Sequence, residues 1–217
     1  MPINLNKKKI IKFYIQNVKY LAFFYKFNTV FLLTMAKTSF SIDNLCIKIY
    51  NKKDMSNFYI FLDIDGVFYD YEWLKNSNNK ASSLLKFKPE SITALNHLIS
   101  SLEKQHNVDL VITSTWRLFK FEQLIAIFKN SGLNFDKTIH KTKDSTNPFT
   151  RSKDIMQYLK GKNNKENFVI IDDESFDFDL YFDKKNIIKT NIQNNALNKK
   201  MVDKFLNTLN KNEELTF

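Results

Sequence analysis

The chain has 217 residues, 43% of them hydrophobic and 15% aromatic, enough for one domain with an extension or for two small domains. Its single cysteine, Cys46, excludes an intrachain disulfide and a cysteine-based zinc site, and fits a reducing, cytoplasmic setting. The net charge of +10 suggests a polyanionic partner only until it is divided: residues 1–57 carry 10 Lys against 2 acids, and residues 58–217 carry 23 basic against 21 acidic residues.

Residues 1–57 therefore read as a basic, aromatic N-terminal extension to a nearly neutral domain at 58–217. Its apolar runs, 20–25 and 30–36, are separated by Lys26, Phe27, Asn28 and Thr29. Both fall short of the roughly 18–20 apolar residues that span a bilayer. Three readings stand: a disordered arm or a misassigned start, with Met35 and Met55 as alternative starts; a targeting or membrane-associating segment over residues 10–36, which would export the protein or hold it at a membrane; and a folded subdomain.

From residue 58 onward strands alternate with helices. The apolar run 58–63 predicts a first, buried strand, and 68–88 a loop or flap. Pro89 suits the first turn of a helix in which Ile92, Leu95, Leu98, Ile99 and Leu102 recur at helical spacing. Strands are expected at 108–113, 137–140, 168–171 and 186–189, and helices at 118–130, 151–160 and 196–209. This is an α/β pattern: a parallel sheet with helices on both faces.

Three of these strands end in polar clusters, which a parallel sheet brings to one edge, where ligands bind. The first ends in Asp63-Ile64-Asp65-Gly66-Val67, the second in Thr113-Ser114-Thr115-Trp116-Arg117, and the fourth in Asp172-Asp173-Glu174. Arg151 and Lys153 begin the helix that leads into the fourth strand. Close carboxylates repel unless a cation sits among them, and Mg2+ with oxygen ligands is the hard cation for the task. A calcium loop is excluded, because the twelfth position counted from Asp63 is Leu74 rather than Glu. The set has the parts for phosphoryl transfer from a monoester. Asp63 can attack phosphorus, Asp65 can protonate the leaving alcohol and then deprotonate water, and Asp172 or Asp173 completes an acidic metal site. Thr113 or Ser114 can donate to a phosphate oxygen, and Arg151 or Lys153 can neutralise its charge.

Strand-Asp-x-Asp-Gly-Val, strand-Thr-Ser, a basic helix start and strand-Asp-Asp, in this order, resemble the four motifs of the haloacid dehalogenase (HAD) superfamily. Trp116-Arg117 and Asp172-Asp173-Glu174 make the chain similar, more narrowly, to the HAD domains of Swiss Army Knife RNA-repair-like proteins. The likeness covers roughly residues 58–210. It implies a Rossmann-like HAD fold with strand order 5-4-1-2-3. It also implies Asp63 as nucleophile, Asp65 as acid/base, and Mg2+ on Asp63, the Asp65 backbone carbonyl and Asp173 or Asp172. An Asp at position 65 fits the phosphatase branch. Many members carry Gly-Leu-Thr near the C-terminus, where this chain has Asn195-Ala196-Leu197-Asn198.

The short connections leave no room for a large cap, so the expected site is open, with minimal or no cap. The expected activity is Mg2+-dependent hydrolysis of phosphate monoesters through an aspartyl-phosphate. A nucleic-acid-end phosphatase is the second reading and a non-catalytic HAD-fold binding module the third. The partner is then a phosphorylated substrate, either a small molecule or a nucleic-acid end. Arg117 is a candidate for substrate binding or, equally, a structural clamp. Trp116 reads as packing before stacking, Asp177 as a support for the site or a surface acid, and Phe68, Tyr69, Tyr71 and Trp73 as flap or core.

Overall fold

Strand β1, Ser56–Leu62, is the centre of the sheet because every residue from Phe58 to Leu62 is apolar or aromatic and both its faces are covered. In a computed structural model of the protein, residues 55–76, 86–143, 150–175 and 177–214 are described. The 1–57 extension falls outside the described residues as far as residue 54. After β1 come α1 (Tyr71–Asn76), α2 (Pro89–Leu102), β2 (His106–Ile112), α3 (Trp116–Phe119) and α4 (Phe121–Asn130). Then follow β3 (His140–Lys141), α5 (Arg151–Leu159), β4 (Phe168–Asp172), α6 (Phe178–Tyr181), β5 (Ile187–Lys189) and α7 (Lys199–Glu214).

The five strands are all parallel, in the order β3-β2-β1-β4-β5. Side chains alternate across β1 and divide the core into two layers. Phe58, Ile60 and Leu62 face α2, α4 and α7 through residues such as Leu95, Leu98, Phe128 and Val202. Tyr59 and Phe61 face Ile155 and Leu159 of α5 and Phe178 of α6. Full burial of each large side chain stabilises the fold by about 1.5–3 kcal/mol, so β1 alone is a major anchor.

Register decides where the polar clusters fall. Leu62 aligns with Ile112 on one side and Ile171 on the other. The following residues, Asp63, Thr113 and Asp172, therefore stand side by side at one edge. The ladder carries on past the strand ends, with Thr113 N–H donating to Leu62 (2.9 Å) and Asp63 N–H to Ile171 (3.0 Å).

Some elements differ from expectation. The helix expected over 118–130 is two helices, broken at Lys120, whose φ of −137° is not helical. Its first part starts earlier, at Trp116, and carries Arg117 into the site region. The third strand is only His140–Lys141, paired with Val111 and Ile112. The last helix starts at Lys199 rather than 196, because Ala196 and Leu197 are fixed as a loop: Leu197 N–H donates to Val67 (2.9 Å) and Ala196 N–H to Asp70 (3.3 Å). Among the described residues only α1 lies between β1 and α2, and no helix is long and apolar enough to cross a membrane.

Candidate active site

The turn after β1 is built around Gly66. Its φ of +69° is a conformation that L-residues avoid. The N–H groups of Val67 (3.2 Å) and Phe68 (3.0 Å) both donate to Ile64, closing the turn, while the Ile64 side chain is buried in the core. A Cβ on Gly66 would lie 2.4 Å from Asp173 Oδ2, so the missing side chain is what admits this carboxylate over the turn. Asp70 braces the far side. It is fully buried and accepts from Lys88 Nζ (2.8 Å) and from the N–H of Trp73 (2.8 Å) and Ala196 (3.3 Å). Burial works against its charge, but these donors outweigh it and hold the carboxyl below the usual range.

Asp63, Asp172 and Asp173 each offer an oxygen, and these oxygens lie within 4.8 Å of one another. Asp63 and Asp172 are buried. Arg151, also buried at the start of α5, bridges them: Nη1 lies 3.2 Å from Asp63 Oδ2 and bonds Asp172 Oδ2. Asp172 Oδ1 accepts the N–H of Glu174 (2.9 Å). One guanidinium does not satisfy three carboxylates. Burial foremost, and then the Asp63 charge, raise Asp172 despite Arg151. Burial, Asp63 and Glu174 push Asp173 up to about 6. Asp63 Oδ1 is buried with no hydrogen-bond partner among the described residues. Crowded oxygens, raised proton affinity and an orphaned acceptor together fit a bound divalent cation.

Of the two basic candidates, Arg151 sits in the cluster, whereas Lys153 is exposed on α5. Helix geometry is the reason. Arg151 lies one turn before the buried Ile155 and shares its inward face, and Lys153 projects from another side. The start of α5 is further held by Ser152, whose hydroxyl donates to Asp177 beyond β4. Asp179 is exposed.

Thr113 and Ser114 are both buried beside Asp63. Thr113 Oγ1 has no partner among the described residues, which leaves its hydroxyl able to donate to an incoming oxygen. Ser114 Oγ receives the N–H of Trp116 (3.5 Å) and retains its own proton. Arg117 contacts protein groups on three sides. Its guanidinium bonds the carbonyls of Thr113, Ser114 (2.9 Å) and Lys143 (3.3 Å) and pairs with Asp154 (3.1 Å), fixing the loop that carries the two hydroxyls.

Asp65 sits at the rim, with its carboxyl outside the three-acid cluster. Its Oδ1 accepts from the Tyr69 hydroxyl and from Trp116 Nε1 (3.3 Å). Burial first, then the Asp63 charge, raise its pKa, opposed by these two donors. Phe68 and Tyr69 are core residues and Trp116 packs against the same core, while Tyr71 is exposed. The contacts of Tyr69 and Trp116 to Asp65 escaped sequence reasoning; the one available signal was a hydroxyl four residues beyond an acid on a tight turn. The arrangement offers a buried carboxylate beside hydroxyl donors and the Arg151 guanidinium, with a second carboxyl, of raised pKa, at the rim.

The model of one protein family, described as the HAD domain in Swiss Army Knife RNA repair proteins, matches residues 59–202. No curated protein and no solved structure matches the chain.

Proposed function

Because the chain belongs to the family of HAD domains found in Swiss Army Knife RNA repair proteins, we propose that it hydrolyses phosphate monoesters through a phosphorylated Asp63. The observation that carries this reading is the cluster of Asp63, Asp172 and Asp173, the first two buried and bridged by Arg151, level in the sheet with the Thr113 hydroxyl, which has no partner among the described residues.

A carboxylate oxygen of Asp63 attacks phosphorus, and the bond from phosphorus to the ester oxygen breaks. The departing oxygen takes a proton from Asp65, whose pKa is shifted upward, the direction a general acid needs. Asp65, now ionised, takes a proton from water as that water attacks phosphorus. The Asp63–phosphorus bond breaks, inorganic phosphate leaves, and both carboxyls regain their starting states. Thr113, Ser114 and Arg151 hold the phosphoryl oxygens through these steps. Mg2+ fits the carboxylates of Asp63, Asp172 and Asp173, where it would supply the positive charge that lets an anionic nucleophile approach an anionic ester.

The test is Mg2+-dependent release of p-nitrophenol from p-nitrophenyl phosphate by the full chain, with Asp63→Asn alongside. Turnover that needs the metal and is lost in the variant supports the reading; a variant that keeps its rate removes Asp63 as nucleophile. A nucleic-acid end as the physiological substrate is favoured by the description of the family. It predicts faster phosphate release from 3′- or 5′-phosphorylated oligonucleotides than from free nucleotides. A domain that binds such ends without turnover would retain affinity for them and release no phosphate.

A further inference from the structure

We propose that Tyr69 and Trp116 are positioning residues for the acid/base: both donate to Oδ1 of Asp65, which leaves Oδ2 as the oxygen that carries the proton to the leaving group. This rests on the phosphatase reading above. Two elements converge on one oxygen. Tyr69 lies on the turn that follows Asp65, and its backbone is joined to that of Asp65 by a β-bridge. Trp116 opens α3 beyond β2, and its Nε1 reaches Oδ1 at 3.3 Å. Both donors are held rigidly. Tyr69 is only 2% exposed. Trp116 packs on the core and carries Lys120 Nζ over its ring, 4.9 Å from the centroid.

The chemistry follows from the donor types. An indole N–H can only donate, and a phenol beside a carboxylate donates as well. A carbonyl-type oxygen accepts two such bonds better than a protonated one does, so the acidic proton belongs on Oδ2. The last torsion of a free carboxyl is broad and nearly two-fold, and would present either oxygen in many directions. Two fixed donors confine it to one. Proton transfer to a departing oxygen depends on that placement, since displacement of a reacting group by about 1 Å can cost about a hundredfold.

A positioning role predicts a loss that depends on the leaving group. p-Nitrophenolate departs without protonation, whereas an alkoxide does not. The experiment measures kcat/KM, which reports the steps up to departure of the alcohol, for p-nitrophenyl phosphate and glycerol 2-phosphate. The full chain is compared with Tyr69→Phe and Trp116→Phe in the presence of Mg2+. Each variant should lose about tenfold or more on the alkyl ester and less than about threefold on the aryl ester, within the range that general acid catalysis contributes. Tyr69→Phe changes one atom, and Trp116→Phe tests the same oxygen from the other element, so a folding defect in one leaves the other decisive. Equal losses on both esters, or none, from an active parent protein would overturn the positioning role and leave the phosphatase reading standing. A parent protein inactive on both esters would remove the activity and, with it, the role.

Discussion

Replacing Gly66 by alanine should damage the metal site more than the fold, and the structure sets the size of both effects. At φ +69° a Cβ costs about 1–2 kcal/mol. The same Cβ would stand 2.4 Å from Oδ2, 2.5 Å from Cγ and 2.6 Å from Cβ of Asp173, against an ordinary contact of about 3.5–4.0 Å. Asp173 must swing away, taking one of three carboxylates out of the cluster. Gly132→Ala is the matched control: its φ is +88°, yet none of the described residues lies within 4 Å of the added atom, so the backbone cost is the one expected. Thermal unfolding and Mg2+ titration of both variants separate the two contributions. Both should lose stability, at about 2–4 °C of Tm per kcal/mol for a domain of this size. Gly66→Ala alone should lose about tenfold or more in Mg2+ affinity, equivalent to about 1.4 kcal/mol. Equal Mg2+ affinity in Gly66→Ala and Gly132→Ala would refute the placement of Asp173 at the metal.

Metal binding should depend on pH. The folded pKa values of Asp172 and Asp173 are raised, so the stability that protonation of this cluster contributes is present below the unfolded aspartate value. It is lost as pH rises, through about 6 for Asp173. Mg2+ needs the deprotonated oxygens. Its addition should therefore raise Tm more at pH 7.5 than at pH 5, and calorimetry in buffers of different ionisation enthalpy should show proton release. A Tm increment independent of pH would contradict this. Arg117→Lys should lower stability by about 1–3 kcal/mol and leave KM within about twofold, because an ammonium cannot reproduce the bonds of the fork to three carbonyls and Asp154. A raised KM with unchanged Tm would instead give Arg117 to the substrate.

The sheet was legible in the sequence wherever a strand is buried on both faces. The runs at β1, β2 and β4 are continuous and apolar, and each is followed at once by its polar cluster. Strand β3 was expected at 137–140 and lies at His140–Lys141, because an edge strand of two exposed residues has no apolar pattern to fix its ends. The break at Lys120 was hidden, as no Gly or Pro marks it. At the site, the order of the acidic motifs pointed to Asp63, Asp65, Asp172 and Asp173 as one group; the register of β1 with β4 explains why Asp63, Asp172 and Asp173 meet, while the Asp65 carboxyl stands outside their cluster. The choice between Arg151 and Lys153 was available in principle from the spacing of Arg151 to Ile155. The donors to Asp65 were not, since a tyrosine and a tryptophan in a hydrophobic setting read as core, and both do pack there.

The central claim is a covalent phosphate on Asp63, and the most direct measurement is to trap it. In Asp65→Asn the first transfer from p-nitrophenyl phosphate needs no acid, but the water that cleaves the intermediate has lost its base. The full-length variant with Mg2+ should release a burst of about one p-nitrophenolate per chain, the size expected when an acyl-type intermediate accumulates. Phosphate should then be found on the peptide containing Asp63, be discharged by hydroxylamine, and be absent when Asp63→Asn is added. Steady turnover by the unsubstituted protein, with neither burst nor labelled Asp63 in Asp65→Asn, would contradict the account.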